Sequence, residues 1–448
     1  MQTRELIAET FPDSGNKLRI GGIDVEEIAR QFGTPLFIYD QSVLLRKWKL
    51  LRSTFPSRFE IHYSVKANPN LNLLTFFMAQ GAGLEIASAG ELHLALEAGC
   101  DPHRILFAGP GKAPAEIELA LKAGVGEIHA ESMIELERIG FIAERLNQIA
   151  SVAIRVNADS GAQGGAMRMG GKATPFGIDE ERLPDALNFA LSFPAIALTG
   201  IHLFSGTQLL DVDILLAQYR KGLQVARQVS ERLNRPLRRV DFGGGLGIPY
   251  FANEHPLDMA RLKVALADLQ REIDSDPVFE GTRFIIEPGR YLTAEAGVYL
   301  TRVLDRKVSR GKHFVIVDGG MNHHLAASGN LGQTIKRNFP VVVANRLSEP
   351  EADAVDIVGP LCTPLDVLAR SHPAPNIQIG DLIAILQSGA YARSASPMGF
   401  LSHPAPPEVL VAEGEALLIR RRGNVCDYLR DVELVYPASH AKEQRRAG

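Results

Sequence analysis

Cysteine is nearly absent from this 448-residue chain. Cys100, Cys362 and Cys426 stand far apart, an odd count at spacings that suit neither a disulfide framework nor a zinc knuckle. Each is expected to be a small buried side chain unless its surroundings give it a task. Neither sign of charge is in excess, with 48 Lys+Arg against 52 Asp+Glu and a formal net charge of -4. That balance forces no basic face, so nucleic acid is not an expected partner. No apolar run approaches a membrane span, and the opening MQTRELIAETFPDSG lacks an apolar segment followed by a small-residue cleavage site. A soluble, cytoplasmic protein is expected. An early G-x-G-x-x-G is also missing: the one dense glycine run, Gly243-Gly-Gly-Leu-Gly247, comes late and has Ile248 where a third glycine should fall. Around Gly170-Gly171-Lys172, Ala166 and Ala173 replace the glycine and the hydroxyl residue of a phosphate-binding loop.

What is present is a rhythm. The length is too great for one ordinary core, so two domains are expected. Strand-like runs recur at 61–65, 84–87, 105–108, 127–130, 152–156, 198–204, 240–242 and 284–286. Helical patterns lie between them, among them 89–98, 113–123, 132–146, 183–191, 213–233 and 258–273. Eight strands, each followed by a helix or a loop leading to one, over roughly 240 residues fit a (β/α)8 TIM barrel. After about 301 the pattern changes to short β-type runs without helices between them, which implies a C-terminal all-β domain. The N-terminal strands, of which 35–40 is the stronger, have no partner in a barrel and are expected to join that domain. The bounds drawn are 36–300 for the barrel, 1–35 and 301–438 for the β domain, and 439–448 for a polar tail. The glycine-rich segment 159–177 after strand five is expected to be an active-site lid.

The stretch Glu60 to Asn70 organises the rest. Ile61, Tyr63 and Val65 alternate as a buried strand does, and Asn68-Pro69-Asn70 stops the ladder. Lys66 therefore falls at the end of an apolar strand, where desolvation is expected to lower its pKa and free an amine for Schiff-base chemistry. Taken alone, the stretch favours a lysine that simply snorkels out at a strand end.

Its company changes that. Working residues of such a barrel sit at strand C-terminal ends, and phosphate commonly binds after strands seven and eight. Gly243, Gly244 and Gly245 follow strand seven, and Glu287-Pro-Gly-Arg290 follows strand eight, beside strand one in a closed barrel. Backbone N–H groups that can approach a phosphate, a planar cation, a carboxylate and a strand-end lysine then share one mouth. Pyridoxal phosphate asks for that set: a trap for its aldehyde, a cup for its phosphate and an acid beside its ring nitrogen.

From about Pro35 to Val411 the chain resembles the alanine-racemase-like, fold-type III pyridoxal-phosphate enzymes, and within them the diaminopimelate, ornithine and arginine decarboxylases. The motifs are YSVKAN around Lys66, GGG, EPGR, GPLC ending at Cys362 and GAY ending at Tyr391. The resemblance implies that Lys66 carries the cofactor and that Gly243, Gly244, Gly245, Arg290 and Tyr391 hold its phosphate. It implies that Glu287 pairs with the pyridine nitrogen and that Arg155 lies near the phenolate side. Cys362 is similar to the family's proton donor, which reaches the reactive carbon from the partner subunit of a homodimer. The reaction implied is α-decarboxylation. A racemase of this fold usually places an arginine at the ring nitrogen, and Glu287 favours stronger electron withdrawal.

The chain departs from the family's pattern where substrate is read. In Gly200-Ile-His-Leu-Phe-Ser-Gly-Thr-Gln208, Phe204 takes the place of the usual stacked histidine, His202 falls two residues earlier, and Thr207 can serve the phosphate as a serine does. Diaminopimelate decarboxylases carry an acid directly after the cysteine, and here it is Thr363. They carry an arginine beyond a Met-Asn pair, whereas Met321-Asn322 is followed by His323-His324-Leu-Ala-Ala327. Losing both distal charge readers implies a substrate whose far end is uncharged, because unpaired buried ions are costly. An aminoacyl thioester on a carrier protein has such an end, and the chain looks more like the subgroup of glutamyl-carrier-protein and exosortase-associated decarboxylases. Arg290, Thr363 and Tyr391 are the expected substrate contacts, and Lys336 and Arg337 could meet an acidic carrier or simply be solvated. No metal is expected, since His323-His324 lacks partners at ligand spacing. The alternatives are decarboxylation of free meso-diaminopimelate in lysine biosynthesis and, from another class, a cofactor-carrying protein without catalysis.

Overall fold

The computed structural model describes residues 3–433 apart from 159–166, 169–172, 205 and 334. Most of the expected lid and the whole of the expected tail lie outside the described residues.

All eight expected barrel strands form, at Phe59–Ser64, Gly83–Ile86, Ile105–Phe107, Glu127–Ala130, Ala150–Asn157, Ile196–Leu203, Arg239–Asp241 and Arg283–Ile286. Each pairs in parallel with its neighbours, and strand eight closes on strand one through Ile286 opposite Ile61. Alternation of side chains sorts each strand into two faces. On strand one, Ile61 and Tyr63 belong to the apolar cluster under the helices, where Tyr63 stacks on Phe77 at 4.5 Å. Ser64, on the opposite face, bonds Glu85 of strand two. Several helices begin where a side chain caps free backbone N–H groups: Ser88 accepts from Glu91, Ser132 from Glu135 and Asp258 from Arg261. Each such cap is worth about 1 kcal/mol. After strand eight only the short helix Arg290–Thr293 follows, and Gln41–Thr54, which precedes strand one, packs against it and against Met259–Asp274 to complete the ring.

The second unit is a sheet domain. Gly297–Ser309 is its long central strand, paired with Leu36–Asp40, Lys312–Val317 and Leu382–Ile385. Leu36–Asp40 is buried at every residue and also pairs in parallel with Glu408–Ala412. The N-terminal strand therefore joins the sheet as expected from its lack of a barrel partner, and the barrel begins after Asp40 rather than at 36. Val367–Ala374 is a further strand that the sequence did not announce. Its Arg370, Ser371 and His372 break the apolar run, and it lies on the sheet's edge beside Asp353–Val358.

Candidate active site

Lys66 falls one turn beyond the strand expected to carry it, in a 3-10 turn, Val65–Ala67. The loop after strand eight presses on that turn: Ser64 N–H donates to the Pro288 carbonyl at 3.3 Å, and a Cβ at Gly289 would stand 2.8 Å from Ala67 Cβ. Lys66 Nζ lies 2.9 Å from both carboxylate oxygens of Glu85, and Ser64 Oγ donates to the same carboxylate at 2.5 Å. The expected lowering of the lysine pKa does not hold. Burial pulls it down, but Glu85, Tyr391 and Glu287 together raise it above the ordinary lysine value. The side chain remains 45% exposed and opens on a cleft of ≈ 520 Å³ lined by Pro69, Ser88, Glu91, Leu94 and Tyr391. Glu91 is pushed up to about 7, chiefly by burial.

Below this mouth the barrel axis is polar. His202 sits opposite Arg155 on one side and Asp241 on the other. Its ring lies 4.4 Å from that of His129, and its Nε2 is 3.6 Å from Glu287. His129 in turn stands 3.3 Å from Glu127, which accepts from Thr199 Oγ1 at 2.6 Å. Burial lowers the His202 pKa to about 4. Burial would raise that of Glu287, but His202, Lys66 and His129 outweigh it and hold the carboxyl well below its usual range.

The glycine run forms a cradle. Gly243 has φ +68 and Gly245 φ +114, and a Cβ on either would meet a carbonyl oxygen, Leu203 O at 2.8 Å or Gly206 O at 2.9 Å. Only glycine fits there. Among the described residues, nothing accepts from the N–H groups of Gly244 and Gly245. Arg290 bonds Tyr250 OH at 3.0 Å and lies 4.7 Å from the Tyr391 ring, with its Nε buried and unpaired. Tyr391 donates its N–H to the Ala67 carbonyl at 2.8 Å, which fixes the sheet domain's loop beside the lysine. Arg155 is held by Glu131 at 2.8 Å, and its guanidinium is 5.8 Å from the Phe204 ring. Glu131 also accepts N–H groups from Gly109 and Gly177, so one carboxylate pins two loops and the Arg155 side chain. Thr207 stands in a two-residue strand paired with Met167–Arg168 inside the expected lid. Unused N–H groups, an orphaned guanidinium nitrogen, a buried carboxylate and an accessible amine fit the phosphate, ring nitrogen and aldehyde of pyridoxal phosphate.

Two of the expected site residues are not brought to this mouth. Cys362 is exposed on a turn of the sheet domain that Asp366 fastens by accepting from Leu361 and Met321, and Thr363 lies in the same turn. Among the described residues no contact joins either to Lys66. Lys336 bonds Asn330, and Arg337 lies over the Phe251 ring at 3.5 Å and pairs with Glu254.

Residues 41–294 match the family described as pyridoxal-dependent decarboxylase, pyridoxal binding domain. A curated relative from Niallia circulans, L-glutamyl-[BtrI acyl-carrier protein] decarboxylase, is 40% identical over 407 residues, 90% of this chain and 95% of its own. The chain belongs to the pyridoxal-dependent decarboxylases. It is a carboxy-lyase with pyridoxal phosphate as cofactor, which sets aside the non-catalytic carrier. Among other relatives of this decarboxylase, the diaminopimelate decarboxylase of Methanothermobacter thermautotrophicus is 34% identical over 94% of this chain and 97% of its own. The solved diaminopimelate decarboxylase from Helicobacter pylori, complexed with L-lysine, matches with TM-score 0.80 at 30% identity, covering 91% of this chain and 98% of that one.

Glu85, Glu127, His129, Glu131 and Asp241 were missed from the sequence. Each interrupts or ends an apolar strand with a charge, as in Leu84-Glu85-Ile86 and Glu127-Ile-His129, and that periodic polarity was the available signal.

Proposed function

We propose that this decarboxylase acts on an aminoacyl group whose far end is uncharged, such as a glutamyl group held as a thioester on a carrier protein, and works as a soluble cytoplasmic homodimer. The observation that carries the reading is the lack of both distal charge readers. Thr363 follows Cys362, and the residues after Met321-Asn322 are two buried histidines. His323 pairs with Tyr299 OH at 3.1 Å and His324 with Ser388 Oγ at 2.9 Å. Burial holds their pKa values at about 4 and about 3, so neither offers a cation to a distal carboxylate at neutral pH. The Niallia circulans relative, named for a carrier-bound glutamyl substrate, supports the reading.

In this assignment Lys66 carries the cofactor's aldehyde, with Glu85 orienting the amine. Gly243, Gly244 and Gly245, with Arg290, Tyr391 and Thr207, hold the phosphate. Phe204 would hold the ring and Arg155 its phenolate, with the Arg155 guanidinium fixed by Glu131, while His202 stands 3.6 Å from Glu287. Bound pyridoxal phosphate supplies an electron sink for the charge left when carbon dioxide departs. Glu287 keeps a negative charge opposite the ring nitrogen and so keeps the proton there. Arg290 and Tyr391 position the substrate together with Thr363 of the partner subunit, and the thiol of Cys362 of the partner subunit returns a proton to the α-carbon. Exposure of Cys362, away from its own chain's lysine, is what a shared site at a dimer interface needs. A working thiol also suits a reducing compartment.

The test is carbon dioxide release from a glutamyl carrier protein beside free meso-diaminopimelate at equal concentration. Preferential release from the tethered substrate is expected. Rapid turnover of diaminopimelate would instead assign the chain the activity for which many of its relatives are named.

A further inference from the structure

Asp241, fully buried at the end of strand seven, is tied to both halves of the cradle. Its Oδ1 accepts the Gly243 N–H at 2.7 Å, and the Gly243 carbonyl accepts the Glu287 N–H at 2.9 Å. Its Oδ2 has no hydrogen-bond partner, and neither has Oε1 of Glu287. Yet one polar atom from each of Asp241, Glu287, His202 and His129 lies within 4.8 Å of the others. Two buried carboxylates this close cannot both ionise. The nearby cations each sit against another carboxylate, Lys66 on Glu85, Arg155 on Glu131 and Arg239 on Glu127 at 3.8 Å, so Lys66 reaches Glu287 only through space, and His129 Nε2 is beyond bonding distance of Asp241 Oδ2 at 3.9 Å. What the two orphaned oxygens lack is a proton between them.

We propose that Asp241 is a carboxylic acid in the folded protein and that, by donating its proton toward Glu287, it fixes Glu287 as the anion. The role of that anion rests on the reading of Glu287 as the ring-nitrogen partner. Burial and the charge of Glu287 drive the Asp241 pKa well above the carboxylate range. His202, titrating at about 4, is neutral near pH 7 and holds no extra proton to give. Asp241 is assigned no contact with the cofactor. It is a positioning residue that sets one charge through Glu287 and one turn through Gly243.

Asp241→Asn tests this directly, because an amide keeps an acceptor for Gly243 and a donor for Glu287. Infrared difference spectra of cofactor-free wild type minus D241N at pH 7 are expected to show the carbonyl band of a protonated acid. D241N is expected to keep the visible spectrum of the holoenzyme and its affinity for pyridoxal phosphate. Asp241→Ala should weaken that affinity about tenfold or more, the loss of a hydrogen bond to a charged group. Absence of the acid band overturns the proposal, as does D241N binding the cofactor as poorly as D241A. So does a stoichiometric metal in the purified protein that D241N releases. An acid band with unchanged affinity in D241A leaves the proton on Asp241 and overturns the reading of Glu287.

Discussion

Lys66 and Glu85 form a two-pronged ion pair, with the ammonium 2.9 Å from each carboxylate oxygen. Glu85 is buried on strand two and receives a second bond from Ser64, so the acid is rigid and the lysine is the mobile partner. The arrangement orients the amine but raises its basicity, at the expense of the free, nucleophilic form.

Capture of an aldehyde requires the neutral amine, and the raised Lys66 pKa makes that form scarce near neutrality. In Glu85→Gln the first opposing charge is gone and the Lys66 pKa falls. The pH profile of borohydride-trapped labelling at Lys66 is expected to move to lower pH by about 1 to 3 units, the usual reach of one adjacent opposite charge. An unmoved profile would mean that Glu85 does not govern the amine.

Gly243 has φ +68, and its Cβ would meet Leu203 O and Phe204 Cδ2 at 2.8 Å each. Gly243→Ala is expected to cost about 1–2 kcal/mol for the left-handed backbone alone. Calorimetric Tm should fall, and the Kd for pyridoxal phosphate should rise on the order of tenfold as the cradle shifts.

His324 is fully buried with its pKa depressed to about 3, against about 6.5 in an unfolded chain. Below pH 6.5 the unfolded state therefore binds the proton that the folded state refuses. Stability is lost as pH falls from 6.5 toward 3. Replacing His324 by Gln removes this one group from the balance. Tm should then drop less between pH 7 and pH 5 than in the wild type, with roughly 1 kcal/mol lost at pH 7 for the altered bond to Ser388.

Shared sites predict complementation. Lys66→Ala and Cys362→Ala should each be inactive or nearly so as pure dimers. A mixed population holds hybrids with one intact site, so unfolding and refolding the two together should restore about a quarter of wild-type activity. No recovery would place the proton donor within one chain.

The barrel was legible because its strands are short apolar runs at even spacing, and the glycine and Glu287–Arg290 motifs fell at the predicted strand ends. The lysine was misplaced by one turn, since Val65 continues the apolar alternation although the ladder ends at Ser64. Its basicity was predicted with the wrong sign because Glu85, 19 positions on, is a neighbour only once strands one and two pair. The interior acids and histidines escaped for a related reason. Apolar alternation reveals the face of a strand packed against helices, while Glu127, His129 and Asp241 lie on the opposite face, where Glu127 meets Thr199 and His129 meets Asp241 across strands.

Tyr391 adopts a left-handed backbone with φ +52 and donates to the carbonyl of Ala67, while Asn68 Nδ2 donates to the Gly389 carbonyl at 3.1 Å. These two stitches, one donated from each unit, fasten the two residues that directly follow the lysine. A hinge that swung the sheet domain outward would tear the turn that carries Lys66, so the cleft does not open by separation of the two units. During denaturation the same stitches are expected to act as a fuse: visible absorbance of the holoenzyme should fade at a lower temperature than the helical circular dichroism of the barrel, and coincident transitions would refute it.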